Sequence, residues 1–208
     1  MPTNTFYHLP EAKRQKLIDA IRQELLRVPY EEISINKIIQ NAGIPRGSFY
    51  QYFTGKNDMI QMILGDFQIK ITEISKKSLQ EHGGDPFTLT QDIFDLICRI
   101  SERTDLFLLY HNLLGGMKVK DDRAAHLPFC LSHGKNCEWT ALLNTALLDL
   151  RGESDLSDCI EILASLLKGS IVELLAEPER KAKIAVSFQN KIAILRRGMD
   201  PKQEAPTC

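Results

Sequence analysis

The chain has 208 residues, 43% hydrophobic and 25% charged, enough apolar material for one compact core or two small ones. That balance excludes a disordered chain, and no run approaches the ~18 apolar residues that a membrane span requires. Twenty-six Lys and Arg against 27 Asp and Glu leave a net charge of −1, so the chain as a whole is not a general polyanion binder.

In chain order, Leu9-Pro10-Glu11 opens a first helix that runs to about Val28, with Leu17, Ile18, Ile21 and Leu25 at inward-facing steps. Lys13, Arg14 and Lys16 near its start read as solvated surface, with a phosphate contact from one of them as the alternative. A short helix with Ile35, Ile38, Ile39 and Ala42 on one side follows and runs into Gly43, where the backbone needs a positive φ. Pro45 begins the next helix, whose first turn has no use for the N–H that proline lacks. Phe49 and Phe53, four apart, anchor that helix, and Arg46, Gly47, Ser48, Tyr50, Gln51 and Tyr52 fall nearer its outward side. It stops at Gly55, and Thr54 caps the next helix.

That helix, from about Gly55 to Leu79, carries Met59, Met62, Ile63, Phe67, Ile71 and Ile74. HGGDP at 82–86 is the first clear break. Helices are expected at 89–102, at 105–117, over 122–150 with an interruption near 132–134, at 155–176 and at 178–197. No strand-like alternation of useful length occurs, so the expected fold is all-α. The tail PKQEAPTC, 201–208, is expected to be disordered.

The segment 34–56, SINKIIQNAGIPRGSFYQYFTGK, has the form of a helix-turn-helix: helix, glycine turn, short polar-aromatic helix. In such a motif the second helix lies in the DNA major groove, where arginine and tyrosine suit phosphates and base edges. A plain αα-hairpin has the same outline, and the two exposed aromatics and the arginine favour the DNA reading over it. Residues 1–56 hold eight Lys and Arg against five Asp and Glu, a mildly basic head on an acidic remainder.

Taken together, these residues resemble the TetR family of bacterial transcriptional repressors. The resemblance rests on Leu17, Ile18, Ile21 and Leu25, on Ser34 through Ala42-Gly43, on Phe49-Tyr50-Gln51-Tyr52-Phe53 and on Lys56, and it covers roughly residues 11–64. It departs at Leu26 and Val28-Pro29-Tyr30, where the family has an aromatic and a glycine, and at Ile39, where a small alanine is usual. The resemblance implies an N-terminal three-helix helix-turn-helix domain, 1–54, joined by a long helix to a larger helical-bundle domain for effector binding and dimerisation, 55–200. It implies double-stranded operator DNA as partner, with contacts from Arg46, Gly47, Ser48, Tyr50, Gln51 and Tyr52, and with Ser34 and Lys56 touching phosphates.

The resemblance also implies a homodimer acting as a ligand-responsive repressor at a palindromic operator. Leu156, Ile160, Leu163, Leu167, Ile171 and Leu174, with Ile184, Phe188, Ile192 and Leu195, recur at three- and four-residue steps. On pattern alone they fit either a core or a seam; the resemblance makes them the dimer interface. A small-molecule effector is expected in the body, among Phe67, Phe94, Phe107, Tyr110, His111, Met117 and Trp139, although each residue type also suits a core. The rival reading is a helical small-molecule-binding or interaction protein that keeps the helix-turn-helix as scaffold.

No nucleophile elbow, phosphate loop or zincin motif is present, so neither an enzyme nor a cofactor is expected. The five cysteines are scattered, and the N-terminus lacks a basic stretch followed by an apolar one. Reduced thiols in a cytoplasmic protein follow. Cys130, His133 and Cys137 have a spacing that suits a metal if His111 or His126 supplies a fourth ligand, or a thiol switch; an incidental helix break is the plainer alternative.

Overall fold

In a computed structural model of the protein, the described residues are 2–102, 104–114 and 138–199. Among them the only secondary structure is nine α-helices and short 3-10 turns. None of these helices is long and apolar enough to cross a membrane. The described residues divide into two compact units, one of 2–69 and 104–114, the other of 70–102 and 138–199.

The first unit holds α1 (Asn4–Tyr7), α2 (Glu11–Arg27), α3 (Ile35–Ala42), α4 (Arg46–Tyr52), the opening turns of α5 (Lys56–Glu81) and α7 (Thr104–Leu114). Its core takes Leu17, Ile21 and Leu25 from α2, Ile38 and Ala42 from α3, Phe49 and Phe53 around α4, and Met59 and Ile63 from α5. Leu109 and Leu113 of α7 complete it. The sequence groups α7 with the body, whereas here it packs against α2 in the head's own unit. The reason is a stripe at i and i+4 whose partner the spacing does not name. Asn112 lies on the same side, buried, and its amide donates to the carbonyls of Leu25 (2.8 Å) and Leu26 (3.2 Å). These are last-turn carbonyls of α2, which no intrahelical N–H can reach.

A further element is α1, one turn of helix ahead of the expected start. Its Phe6 is buried, with the ring centroid 5.2 Å from that of Phe53.

The second unit holds the rest of α5, α6 (Pro86–Ile100), α8 (Asp155–Ala176) and α9 (Lys181–Gly198), with 3-10 turns at Glu138–Leu142, Thr145–Leu147 and Pro178–Arg180. The break at 82–86 is built around Gly84, at φ 80°, where a Cβ would lie 2.6 Å from the Asn144 nitrogen and the Leu142 oxygen. Only glycine fits there. Asp85 then caps α6 by accepting from the Phe87 N–H (2.9 Å) and the Thr88 hydroxyl (2.6 Å). Arg196 of α9 also bonds Asp85 and stands 5.0 Å over the Phe87 ring. Burial opposes the Asp85 charge, yet those hydrogen bonds and the guanidinium outweigh it and hold its carboxyl below the ordinary range.

The interior of this unit corrects the expected dimer seam. Leu163, Leu167, Ile171 and Leu174 of α8 and Ile184, Phe188 and Ile192 of α9 are buried within the protomer. The Phe188 ring stacks on that of Phe94, centroids 4.0 Å apart, and both are buried in the core of this unit. Leu156, Ile160 and Leu195 are partly covered. Both helices are apolar on more than one side. The buried stripe is spent on α6 and on each other, and a second one, Ile162 and Val172 on α8 with Val186 and Ile194 on α9, is left exposed.

Candidate nucleic-acid interface

The helix-turn-helix is set by local chemistry at each end of its helices. Ser34 caps α3, its hydroxyl oxygen accepting from the Lys37 N–H at 3.4 Å. At the other end Gly43 takes φ 64°, the Gly43 N–H bonds the Gln40 carbonyl (3.1 Å) and the Ile44 N–H reaches the Ile39 carbonyl (3.2 Å). This is a Schellman termination, which needs a left-handed residue at that position. The Lys16 ammonium lies 3.1 Å from where a Cβ on Gly43 would stand. Pro45 precedes α4 as its cap residue, one position earlier than expected, with φ −63° already suited to helix entry.

Within α4, Phe49 and the following Phe53 are wholly buried, ring centroids 5.3 Å apart, and they fix the helix by one face. Arg46, Gly47 and Gln51 are exposed, Tyr50 is 50% exposed, and Ser48 and Tyr52 are partly covered. Tyr50 meets Phe49 edge to face at 5.5 Å, and Tyr52 packs in part on the core. A Cβ on Gly47 would meet nothing within 4 Å, so the chain leaves open space beside that backbone. The outcome is a short helix with one apolar face inside and a guanidinium, a carboxamide and a phenol outside.

Lys56 and Ser34 sit at the N-termini of α5 and α3. The Lys56 ammonium reaches the Glu31 carbonyl at 3.5 Å, the outer limit of a hydrogen bond. Tyr30 donates its phenol to the Asn57 side chain (2.5 Å), so the aromatic retained beside Pro29 ties the turn after α2 to the start of α5. Thr54 donates through its N–H (3.0 Å) and its hydroxyl (2.5 Å) to Asp58, in the first turn of α5.

Two supports of this face were not named from the sequence. Glu24 lies on the buried side of α2, with 1% of its side chain exposed. It accepts from the Arg27 guanidinium at 2.8 and 2.7 Å and from the Ser34 N–H at 3.0 Å. The Arg27 bonds hold its carboxyl below the usual glutamate range, against the opposing effect of burial, with the Ser34 N–H adding to them. A carboxylate thus joins the last turns of α2 to the first residue of the helix-turn-helix. Its signal was an acidic residue seven positions after Leu17, in register with the core stripe, with an arginine three further on. The second support is Thr3, whose N–H donates to the Tyr52 carbonyl (2.9 Å) and whose hydroxyl donates to that of Gln51 (2.5 Å).

Of the expected pocket residues, Phe107 and His111 stack at 5.9 Å on α7 in the first unit, while Phe94 and buried Trp139 belong to the second. The side chains of Phe67 and Tyr110, and Met117 entirely, lie outside the described residues, as do Cys130, His133 and Cys137. Cys98 and Cys159 are free thiols, Cys98 buried.

Residues 17–63 match the model of a family described as bacterial regulatory proteins, tetR family. No curated protein matches the chain. Among solved structures, the SmeT–triclosan complex is similar with a TM-score of 0.63 at 14% identity, over 95% of this chain and 97% of that one. A TetR-family transcriptional regulator from Pectobacterium atrosepticum gives 0.58 at 14% identity, over 93% and 97%. Regulatory protein TetR from Rhodobacter sphaeroides gives 0.53 at 21%, over 91% and 100%. The likeness to these structures is one of fold.

Proposed function

With residues 17–63 matching the model of the tetR family of bacterial regulatory proteins, we propose that the chain is a ligand-responsive repressor that binds a palindromic operator as a homodimer. The observation that carries this reading is the outward face of α4, where Arg46, Tyr50 and Gln51 stand exposed on a helix locked by Phe49 and Phe53. A helix presented in that way can enter a major groove and offer donors to base edges. Ser34, Lys56 and the open backbone at Gly47 are the proposed phosphate contacts.

A palindrome calls for two copies. The side chains proposed to join them are Ile162 and Val172 on α8 and Val186 and Ile194 on α9, which replace the buried ones expected from the sequence. Ser165, Gly169 and Ala176 are exposed at neighbouring steps of α8, and they allow the helices of two copies to approach closely. The arrangement supported is a four-helix seam about a two-fold axis.

The effector is proposed by fold likeness. SmeT has been captured in complex with triclosan, and a compact apolar effector is proposed here. Such a ligand shifts DNA affinity only by its unequal affinity for the two conformations of the repressor.

Selection from random duplexes tests the reading. The wild-type chain should enrich a palindrome, and Arg46→Ala should lose preference at one base pair of each half-site. A chain that enriches no sequence has no operator, and the reading falls in favour of a scaffold role for these helices.

A further inference from the structure

We propose that residues 2–9 form an arm that clamps the C-terminal turn of α4, with Thr3 as a positioning residue for DNA binding; this rests on the operator-binding reading above. The last carbonyls of a helix have no intrahelical partner, and a helix of seven residues has little stability of its own. In α4 the Phe49 carbonyl is taken by the Phe53 N–H at 2.9 Å. Those of Gln51 and Tyr52 are taken by Thr3, the first by its hydroxyl and the second by its backbone N–H. Thr3 therefore does from 48 residues away what a capping residue does locally.

The arm is itself held at three points. Pro2 and Phe6 are buried, the Phe6 ring lying on Phe53, which closes the C-terminus of α4. One turn of helix carries the chain past Phe6, with the His8 N–H and its imidazole Nδ1 both at the Asn4 carbonyl (3.1 and 2.7 Å). Arg14 of α2 then donates to the Tyr7 carbonyl at 3.1 Å. The arm thus runs from the base of α2 to the far end of α4, along the turn that bears Tyr50, Gln51 and Tyr52. Holding their backbone fixes where those side chains point before any duplex arrives, which lowers the ordering cost of binding.

Thr3→Val keeps shape and removes the hydroxyl, whereas Thr3→Ser keeps the hydroxyl and trims the methyl. Hydrogen exchange of amides 50–53 and affinity for the duplex enriched on the wild-type chain are measured for both, with thermal unfolding as the control for the whole fold. Thr3→Val should exchange faster at 50–53 and bind about fivefold more weakly, the loss that one ordinary hydrogen bond carries. Thr3→Ser should match the wild type in both, and the unfolding midpoint of Thr3→Val should fall by no more than about 4 °C, the shift that one hydrogen bond carries in a chain of this size. Wild-type exchange at 50–53 in Thr3→Val overturns the clamp, as does an equal loss in Thr3→Ser. The exchange measurement needs no DNA: if no duplex is enriched, the operator reading falls, and amides 50–53 still decide whether the arm clamps α4.

Discussion

Two substitutions on α9, two residues apart, separate what holds the protomer together from what is proposed to join two protomers. Phe188 is 0% exposed and stacks on Phe94, whereas Val186, on the opposite side of the same helix, is 57% exposed. Truncating a buried phenylalanine loses both its transfer free energy and the contacts of the cavity left behind, ~3–5 kcal/mol. The lost ring stack is part of that figure. With a urea slope of ~2 kcal/mol/M, the midpoint for Phe188→Ala should fall by about 2 M. Trp139 is the only tryptophan of the chain, is buried and belongs to the same unit, so its fluorescence reports the transition. Val186→Asp should instead leave Trp139 shielded and convert the proposed dimer to single chains in sedimentation, because in that arrangement a charge on the exposed stripe meets its own copy across the two-fold axis. The reasoning is refuted if Phe188→Ala unfolds at the wild-type midpoint. It is equally refuted if Phe188→Ala separates the copies while Val186→Asp leaves them joined.

Gly43→Ala puts a Cβ at φ 64° beside the Lys16 ammonium and should cost ~1–2 kcal/mol in denaturant unfolding, with weaker operator binding. Asn112→Ala orphans two carbonyls at the end of α2 and should destabilise by ~2–3 kcal/mol, while surface Glu161→Ala, exposed on α8, should stay within ~0.5 kcal/mol. Glu24→Gln tests a linkage whose sign is fixed. The native carboxyl titrates below its unfolded value, so its contribution is complete above about pH 4.5 and disappears as pH falls through the native value. The stability gap between wild type and Glu24→Gln should therefore be widest near pH 7 and close below pH 4.5; a gap that widens on acidification contradicts the Arg27–Glu24–Ser34 arrangement, with Lys37 and Glu32 as the other charges nearby. Lys56→Ala should weaken binding to every duplex alike and lower the salt slope by about one unit, measured by titration at several salt concentrations.

What the sequence determined by itself was whatever depends on neighbours along the chain. A glycine that must turn left-handed, a proline whose φ suits a helix start and two phenylalanines one turn apart are local facts, so 34–53 was legible as a helix-turn-helix with Arg46, Gly47, Tyr50 and Gln51 on its outward side, whereas Ser48 and Tyr52, expected there too, are partly covered. The all-α character followed in the same way from three- and four-residue steps. Tertiary structure decided which surface each stripe meets. Leu167 and Phe188 are covered inside the protomer and Val172 and Val186 are not, although all four sit on helices whose apolar residues recur at the same steps. Leu109, Leu113 and Asn112 join α7 to α2 across more than 80 residues of chain, and Thr3 reaches α4 across nearly 50. Periodicity says that a face is apolar but not what covers it, and a hydrogen bond between distant residues leaves no period at all. Glu24 lies between the two cases: its register marked it as inward-facing, and only the fold supplied the guanidinium and the Ser34 N–H that make a buried carboxylate tolerable.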